Sequence, residues 1–169
     1  MKKTILLLAG VLLLAACSPN REKQLKAIEE REAALSTYDM ITEDDELTDI
    51  ISLYRTFAND FPNDSLAPVF LQRAADLSIA LGQTDQAVAL LDTVINLYPG
   101  FEDLGGCWFL KGHAYETAEE YDSARATYSY FVENYPDHPL AKDTRFQLEN
   151  EMIGMSPEDM LKLILGESE

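Results

Sequence analysis

The chain alternates apolar stripes with short polar breaks, and the stripes carry helical spacing. Val88, Leu91, Val94 and Ile95 recur three or four residues apart, one face of a 3.6-residue period. They predict a helix from about Asp85 to Leu97. Ala124, Tyr128, Phe131 and Val132 repeat that face ahead of Pro136. Leu47, Ile50, Ile51, Tyr54, Phe57 and Ala58 do so ahead of Pro62. Each stripe stops at an aromatic–proline pair: Phe61-Pro62, Tyr98-Pro99 and Tyr135-Pro136. Proline lacks an amide donor and clashes with the preceding turn, so each pair ends a helix. The three prolines are 37 residues apart both times. Tyr54, Leu91 and Tyr128 fall in one register, as do Phe57, Val94 and Phe131, so a single unit is repeated.

Partner helices are predicted between these. One runs from about Ala67 to Leu81 and ends at Gly82, another from about Leu104 to Ala118. A first helix, about Arg21 to Asp39, carries Leu25, Ile28, Leu35 and Tyr38. Thr84 and Asp122 are the expected N-caps of the helices they precede. The turns Leu81–Thr84 and Ala118–Glu120 are short, which makes successive helices antiparallel. No useful run alternates with period two, so no strand is expected. After the last proline pair, Leu140 to Met152 reads as a solvating cap helix with Ala141, Phe146 and Leu148 apolar. Gly154 breaks it. Ser156 then caps a last helix, with Pro157 at its first position and Glu158 and Asp159 in its first turn. Met160, Leu161, Ile164 and Leu165 give it an apolar face, and Gly166 can end it. That helix is expected to cover the open end of the stack, because terminal repeats need capping; docking a partner is the rival reading.

Trp108, Gly112 and Tyr115 on one helix, Ala124 on the next and Pro136 at the end resemble the tetratricopeptide repeat. Lys111 departs from that motif's leucine. Leu71, Ala75, Ala87, Leu91 and Pro99 form a second, weaker copy. The resemblance implies an all-α fold: a short tetratricopeptide-type solenoid of antiparallel helix pairs with a C-terminal capping helix. It also implies a groove lined by the first helix of each pair. The family's groove positions fall on Gln72, Asp76 and Ile79, then on Phe109, His113 and Glu116. These offer no Lys/Arg clamp for a peptide carboxylate, so a neutral or basic ligand is expected. The aromatic–proline–alanine junctions (Phe61 to Ala67, Tyr135 to Ala141) resemble an envelope subgroup over about Glu43 to Glu151. It includes the lipoprotein D subunit of the β-barrel assembly machinery and the periplasmic protein associated with the Tol–Pal system.

The chain opens differently. Lys2 and Lys3 precede Thr4–Ala16, 13 residues without a charge. As a helix at about 1.5 Å per residue these span roughly 20 Å, short of a ~30 Å hydrocarbon core. The segment therefore reads as a signal peptide rather than a membrane span. Leu14-Ala15-Ala16-Cys17, followed by polar Ser18-Pro19-Asn20, resembles the bacterial lipobox. That resemblance implies acylation of Cys17 and removal of residues 1–16. Residues 17–20 would be a lipidated tether, 21–154 the helical repeats, and 155–169 the capping helix and tail. Two or three acyl chains, at ~0.8 kcal/mol per buried methylene, hold a bilayer firmly where one does not. Ser18 rather than aspartate after the cysteine implies the outer membrane under the sorting rule of enteric bacteria, and a periplasm-facing anchor is expected.

Charge then narrows the partners. The chain holds 13 Lys+Arg against 30 Asp+Glu, a formal −17. Loss of Lys2 and Lys3 with no acid would leave 11 against 30, or −19. Such a surface repels phosphate backbones, so nucleic acid is not an expected partner. Cys107, beside Trp108 and Phe109, reads as a buried structural thiol. His113 and His138 fall on different elements and have no acid or nucleophile at catalytic spacing. Glu43–Glu46 lacks the glycine and spacing of a calcium loop and suits a helix start. No catalytic residue, metal site or cofactor is therefore expected. The leading function is a lipid-anchored cell-envelope scaffold binding another protein. The alternatives are self-association through Leu25, Ile28 and Leu35, a seam interrupted by Glu32, and small-molecule capture or catalysis.

Overall fold

The computed structural model describes residues 20–37 and 44–166. Among these residues there are eight helices and no strand. They are α1 (Arg21–Thr37), α2 (Asp44–Asp60), α3 (Leu66–Ala80), α4 (Thr84–Leu97), α5 (Leu104–Thr117), α6 (Tyr121–Asn134), α7 (Ala141–Glu149) and α8 (Pro157–Leu165). The expected signal segment, Cys17, Tyr38, Asp39 and Glu43 lie outside the described residues. From α1 to α7 each helix packs on the next, and α3 also meets α5.

The 37-residue period is visible in the backbone itself. At the three junctions the N–H of Asp64, Phe101 and His138 donates to the carbonyl of Phe61, Tyr98 and Tyr135, at 3.0, 2.9 and 3.1 Å. The turns inside the pairs also match. Gln83 donates to Ser78 O at 2.8 Å, and Glu120 donates to Tyr115 O at 2.8 Å. Each such turn needs one residue in the left-handed region: Gly82 at φ 68° and, less comfortably, Glu119 at φ 61°.

The predicted stripes form the core. Tyr54, Phe57, Leu91, Val94, Tyr128 and Phe131 are all buried. Fully burying one such side chain contributes about 1.5–3 kcal/mol. Phe70 joins α3 to α2, stacking on Tyr54 at 5.1 Å and meeting Phe57 edge-on at 4.9 Å. Ile28 is buried in this core, and Leu25 and Leu35 pack against it. The seam that suggested self-association is therefore turned inward. Tyr54 Oη donates to Glu32 Oε1 at 2.6 Å, and Arg73 donates to the same oxygen at 2.7 Å. Glu32, which breaks the seam, thus ties α1 to α2 and α3.

Four expectations are corrected. Thr84 and Asp122 are not caps: Gln83 and Glu120 hold those positions without side-chain capping bonds. The preceding turns deliver the backbone directly, and Gln83 and Glu120 carbonyls accept from Ala87 and Ala124. The helix after Pro139 stops at Glu149, short of Met152. On that helix Ala141 is buried and Phe146 is exposed. The last helix forms as predicted, with Ser156 Oγ accepting from Asp159 N and Gly166 left-handed at its end. It does not cover the stack, however, because α8 packs on no other helix. The stack closes on α7, Met152 and Ile153 instead.

Candidate functional site

The candidate groove lies on α3 and α5, the first helices of two successive pairs. Asp76 is exposed and free to meet a ligand. His113 is half-buried, with its ring parallel to Phe109 at 6.5 Å. The other positions are committed inside the fold. Ile79 is buried in the core. Phe109 packs on Tyr128 at 5.6 Å and edge-on to Phe131 at 5.7 Å. Glu116 Oε2 accepts from Tyr128 Oη at 2.8 Å. Burial, the Glu116 charge and that hydrogen bond all push the Tyr128 phenol upward.

Gln72 leads to a cluster that the sequence pattern missed. Its Nε2 donates to Asp103 Oδ2 at 2.7 Å. Asp103 caps α5, its Oδ1 accepting from Gly106 N at 3.1 Å. The same oxygen lies 3.3 Å from His138 Nε2. His138 Nδ1 accepts from Leu140 N at 3.3 Å and its ring meets Phe131 edge-on at 5.2 Å. One carboxylate thus joins α3, the start of α5 and the following junction. His138 is a junction residue, as its place between two prolines suggests. A Cβ on Gly105 would come within 3.1 Å of the His138 ring, so the glycine admits the histidine.

Lys111, the departure from the repeat motif, donates to Asp92 Oδ1 at 2.6 Å and lies over Trp108 at 5.4 Å. It replaces an apolar contact by an ion pair to the preceding helix. Cys107 is fully buried, and burial, with Asp103 nearby, pushes its thiol up to about 12. Such a thiol is a poor nucleophile at neutral pH.

Among the described residues no group of three or more His, Cys, Asp or Glu side chains could hold a metal ion. No described helix is long and apolar enough to cross a membrane. A surface depression of about 580 Å³, lined by none of the groove positions, lies between Pro62, Pro68, Leu97, Tyr98 and Phe101 at two junctions. What the groove positions of α3 and α5 leave to a ligand is the Asp76 carboxylate and part of the His113 ring.

A family model described as a tetratricopeptide repeat matches residues 71–100 and 107–138. No curated protein matches the chain, and no solved structure does. The two matched segments are similar to tetratricopeptide repeats. Together with the helix order they make the chain an all-α solenoid of that type.

Proposed function

We propose that the chain is a lipid-anchored cell-envelope scaffold that binds another protein through its helical solenoid. The observation that carries the binding half is the pair of tandem repeats spanning α3 to α6. Repeats of this kind form extended protein-binding surfaces by stacking. Asp76 is the groove position free to select a basic or neutral segment. The anchoring half is supported by Leu14-Ala15-Ala16-Cys17 after an uncharged run too short to span a bilayer. Ser18, under the sorting rule of enteric bacteria, supports outer-membrane placement, and a periplasm-facing position belongs to the same reading. A role in envelope assembly follows from the aromatic–proline junctions.

Two measurements separate the halves. Radiolabelled palmitate fed to a bacterial host labels the chain, and Cys17→Ser abolishes the label; an unlabelled chain rejects the anchor. Crosslinking in intact cells captures a protein partner, and Asp76→Ala weakens that capture. Capture unchanged by Asp76→Ala rejects the groove as the binding face.

A further inference from the structure

By the 37-residue register α8 occupies the place of α4 and α6. Leu161 corresponds to Ala87 and Ala124, Ile164 to Leu90 and Thr127, and Leu165 to Leu91 and Tyr128. All six counterparts are buried. In α8 the three residues are 56%, 61% and 60% exposed. A helix face written for an interior therefore stands in solvent.

The cause is one early turn. The turn that ends α3 and α5 recurs as Met152 N donating to Gln147 O at 2.9 Å, five residues ahead of register. Its left-handed residue is Glu151, at φ 53°. Met152 and Ile153 are then buried. Arg125 donates to Ile153 O at 3.0 Å, and Tyr121 lies against Gly154, where a Cβ would come within 2.8 Å of its ring. This pins the connection to α6. On α7, Phe146 holds the register of Phe109, yet it is 51% exposed where Phe109 packs on Tyr128 and Phe131. Glu149 holds the register of Ala75 and Gly112, the small residues at which paired helices meet. A carboxylate there opposes closure of α8 onto α7 as a third regular pair, because it would be buried unpaired.

We propose that Leu161, Ile164 and Leu165 on α8 form a docking site for an amphipathic helix of a partner protein whose apolar stripe is flanked by lysine and arginine. The face has helix-pairing spacing, so its occupant is a helix. Charge selects the flanks. Glu158 and Asp159 are exposed on α8, and Lys162, held by Glu158 at 2.9 Å and Asp159 at 3.9 Å, is the one cation of that helix, so α8 is acidic on balance. A second copy would bring the same acids and a formal −17 of its own, and an anionic bilayer would meet the same repulsion. The site uses no groove residue and does not depend on acylation, so it stands or falls apart from the function proposed above.

The test titrates the full chain into labelled synthetic amphipathic helical peptides that share one leucine stripe. One carries Lys/Arg flanks and the other Glu flanks. The basic peptide is expected to bind, with the Glu-flanked peptide about tenfold weaker or worse. Leu161→Ser/Leu165→Ser is expected to weaken binding about tenfold or more, since two leucine contacts are lost. These side chains are exposed, so the fold survives, as circular dichroism verifies. Phe146→Ser and Leu97→Ser, exposed apolar residues off α8, are expected to leave it unchanged. Equal binding of both peptides, or binding unmoved by the α8 variants, overturns the proposal. So does self-association in sedimentation that the same variants abolish, or their abolishing adsorption to phosphatidylcholine vesicles. Either outcome would assign the face to a second copy or to lipid.

Discussion

Gly112→Ala sets two opposite effects against each other in the middle of α5. Helix propensity favours the change, since glycine in a helix interior costs about 1 kcal/mol relative to alanine. Packing opposes it. A Cβ on Gly112 would lie 2.5 and 2.6 Å from Tyr128 Cδ1 and Cε1 and 3.0 Å from Cγ. Carbon atoms in contact prefer about 3.5–4.0 Å. Tyr128 has little freedom to yield, being 2% exposed, bonded to Glu116 and packed against Phe109. The two helices must therefore separate by close to 1 Å, and overpacking of this kind costs about 1–3 kcal/mol. With two ring carbons inside contact distance the cost falls near the top of that range. After the propensity gain, a net loss of about 1–2 kcal/mol remains, or a fall in Tm of about 3–8 °C for a domain of this size.

Thermal and urea unfolding followed by circular dichroism measure the effect. Gly100→Ala is the control, because nothing lies within 4 Å of its Cβ position; it should hold or raise Tm. A double-mutant cycle isolates the contact. Tyr128→Leu frees the space, so the Gly112→Ala penalty should shrink by about 1 kcal/mol or more in that background. A Gly112→Ala chain as stable as the parent, or a penalty that simply adds to that of Tyr128→Leu, refutes the packing argument.

Three further outcomes are expected. Tyr54→Phe deletes the bond to Glu32 Oε1 and should lower stability by about 1 kcal/mol, read as a shift of the urea midpoint; an unchanged midpoint counts against the α1–α2–α3 tie. Glu119→Gly replaces a side chain held at φ 61° and should raise stability by about 0.5–1 kcal/mol; a lower Tm would mean that the turn is not strained. Stability should also fall in alkali. Burial raises the phenols of Tyr54 and Tyr128 and lifts the Cys107 thiol to about 12. All three groups thus keep their protons in the folded chain after the unfolded chain has begun to lose them. Their contribution is complete below about pH 8–9 and declines as pH rises towards the folded values, by at most about 1.4 kcal/mol per pH unit for each group. A urea midpoint flat from pH 8 to 11 would contradict this, and Tyr128→Phe should remove part of the slope.

The legible part of this fold is the part written in one period. The aromatic–proline pairs marked the junctions because proline acts locally, and Gly82 and Gly166 marked helix ends because a left-handed residue is needed there. Thr84 and Asp122 misled because a capping side chain is useful only where backbone donors lack partners, and tight turns already set these helix starts. The Gln72–Asp103–His138 cluster was not legible. Its members are 31 and 35 residues apart, off the period, and nothing local distinguishes Asp103 from other acids. A cap signal did exist in Asp103 ahead of Leu104-Gly105-Gly106. Of the groove positions, Ile79 lies on α3 and Glu116 on α5, and pattern alone could not tell an outward side chain from a committed one.

The two ends of the stack are built unequally, and that inequality bears on how it can bind. In a solenoid each unit is stabilised by its neighbours, so an end unit must find a substitute for the neighbour it lacks. At the N-terminal end α1 is that substitute. It lays Leu25, Ile28 and Leu35 on the core and is tied down by Glu32 to Tyr54 and Arg73. At the other end α7 is short, and the chain turns away before its apolar surface is covered. Completing that end by one more regular pair would require a small residue at position 149, and glutamate stands there. The same acid that opposes closure of that end accompanies an apolar face of α8 left in solvent on an acidic chain. A surface so made is one-sided: it can be completed by a different helix and not by its own likeness.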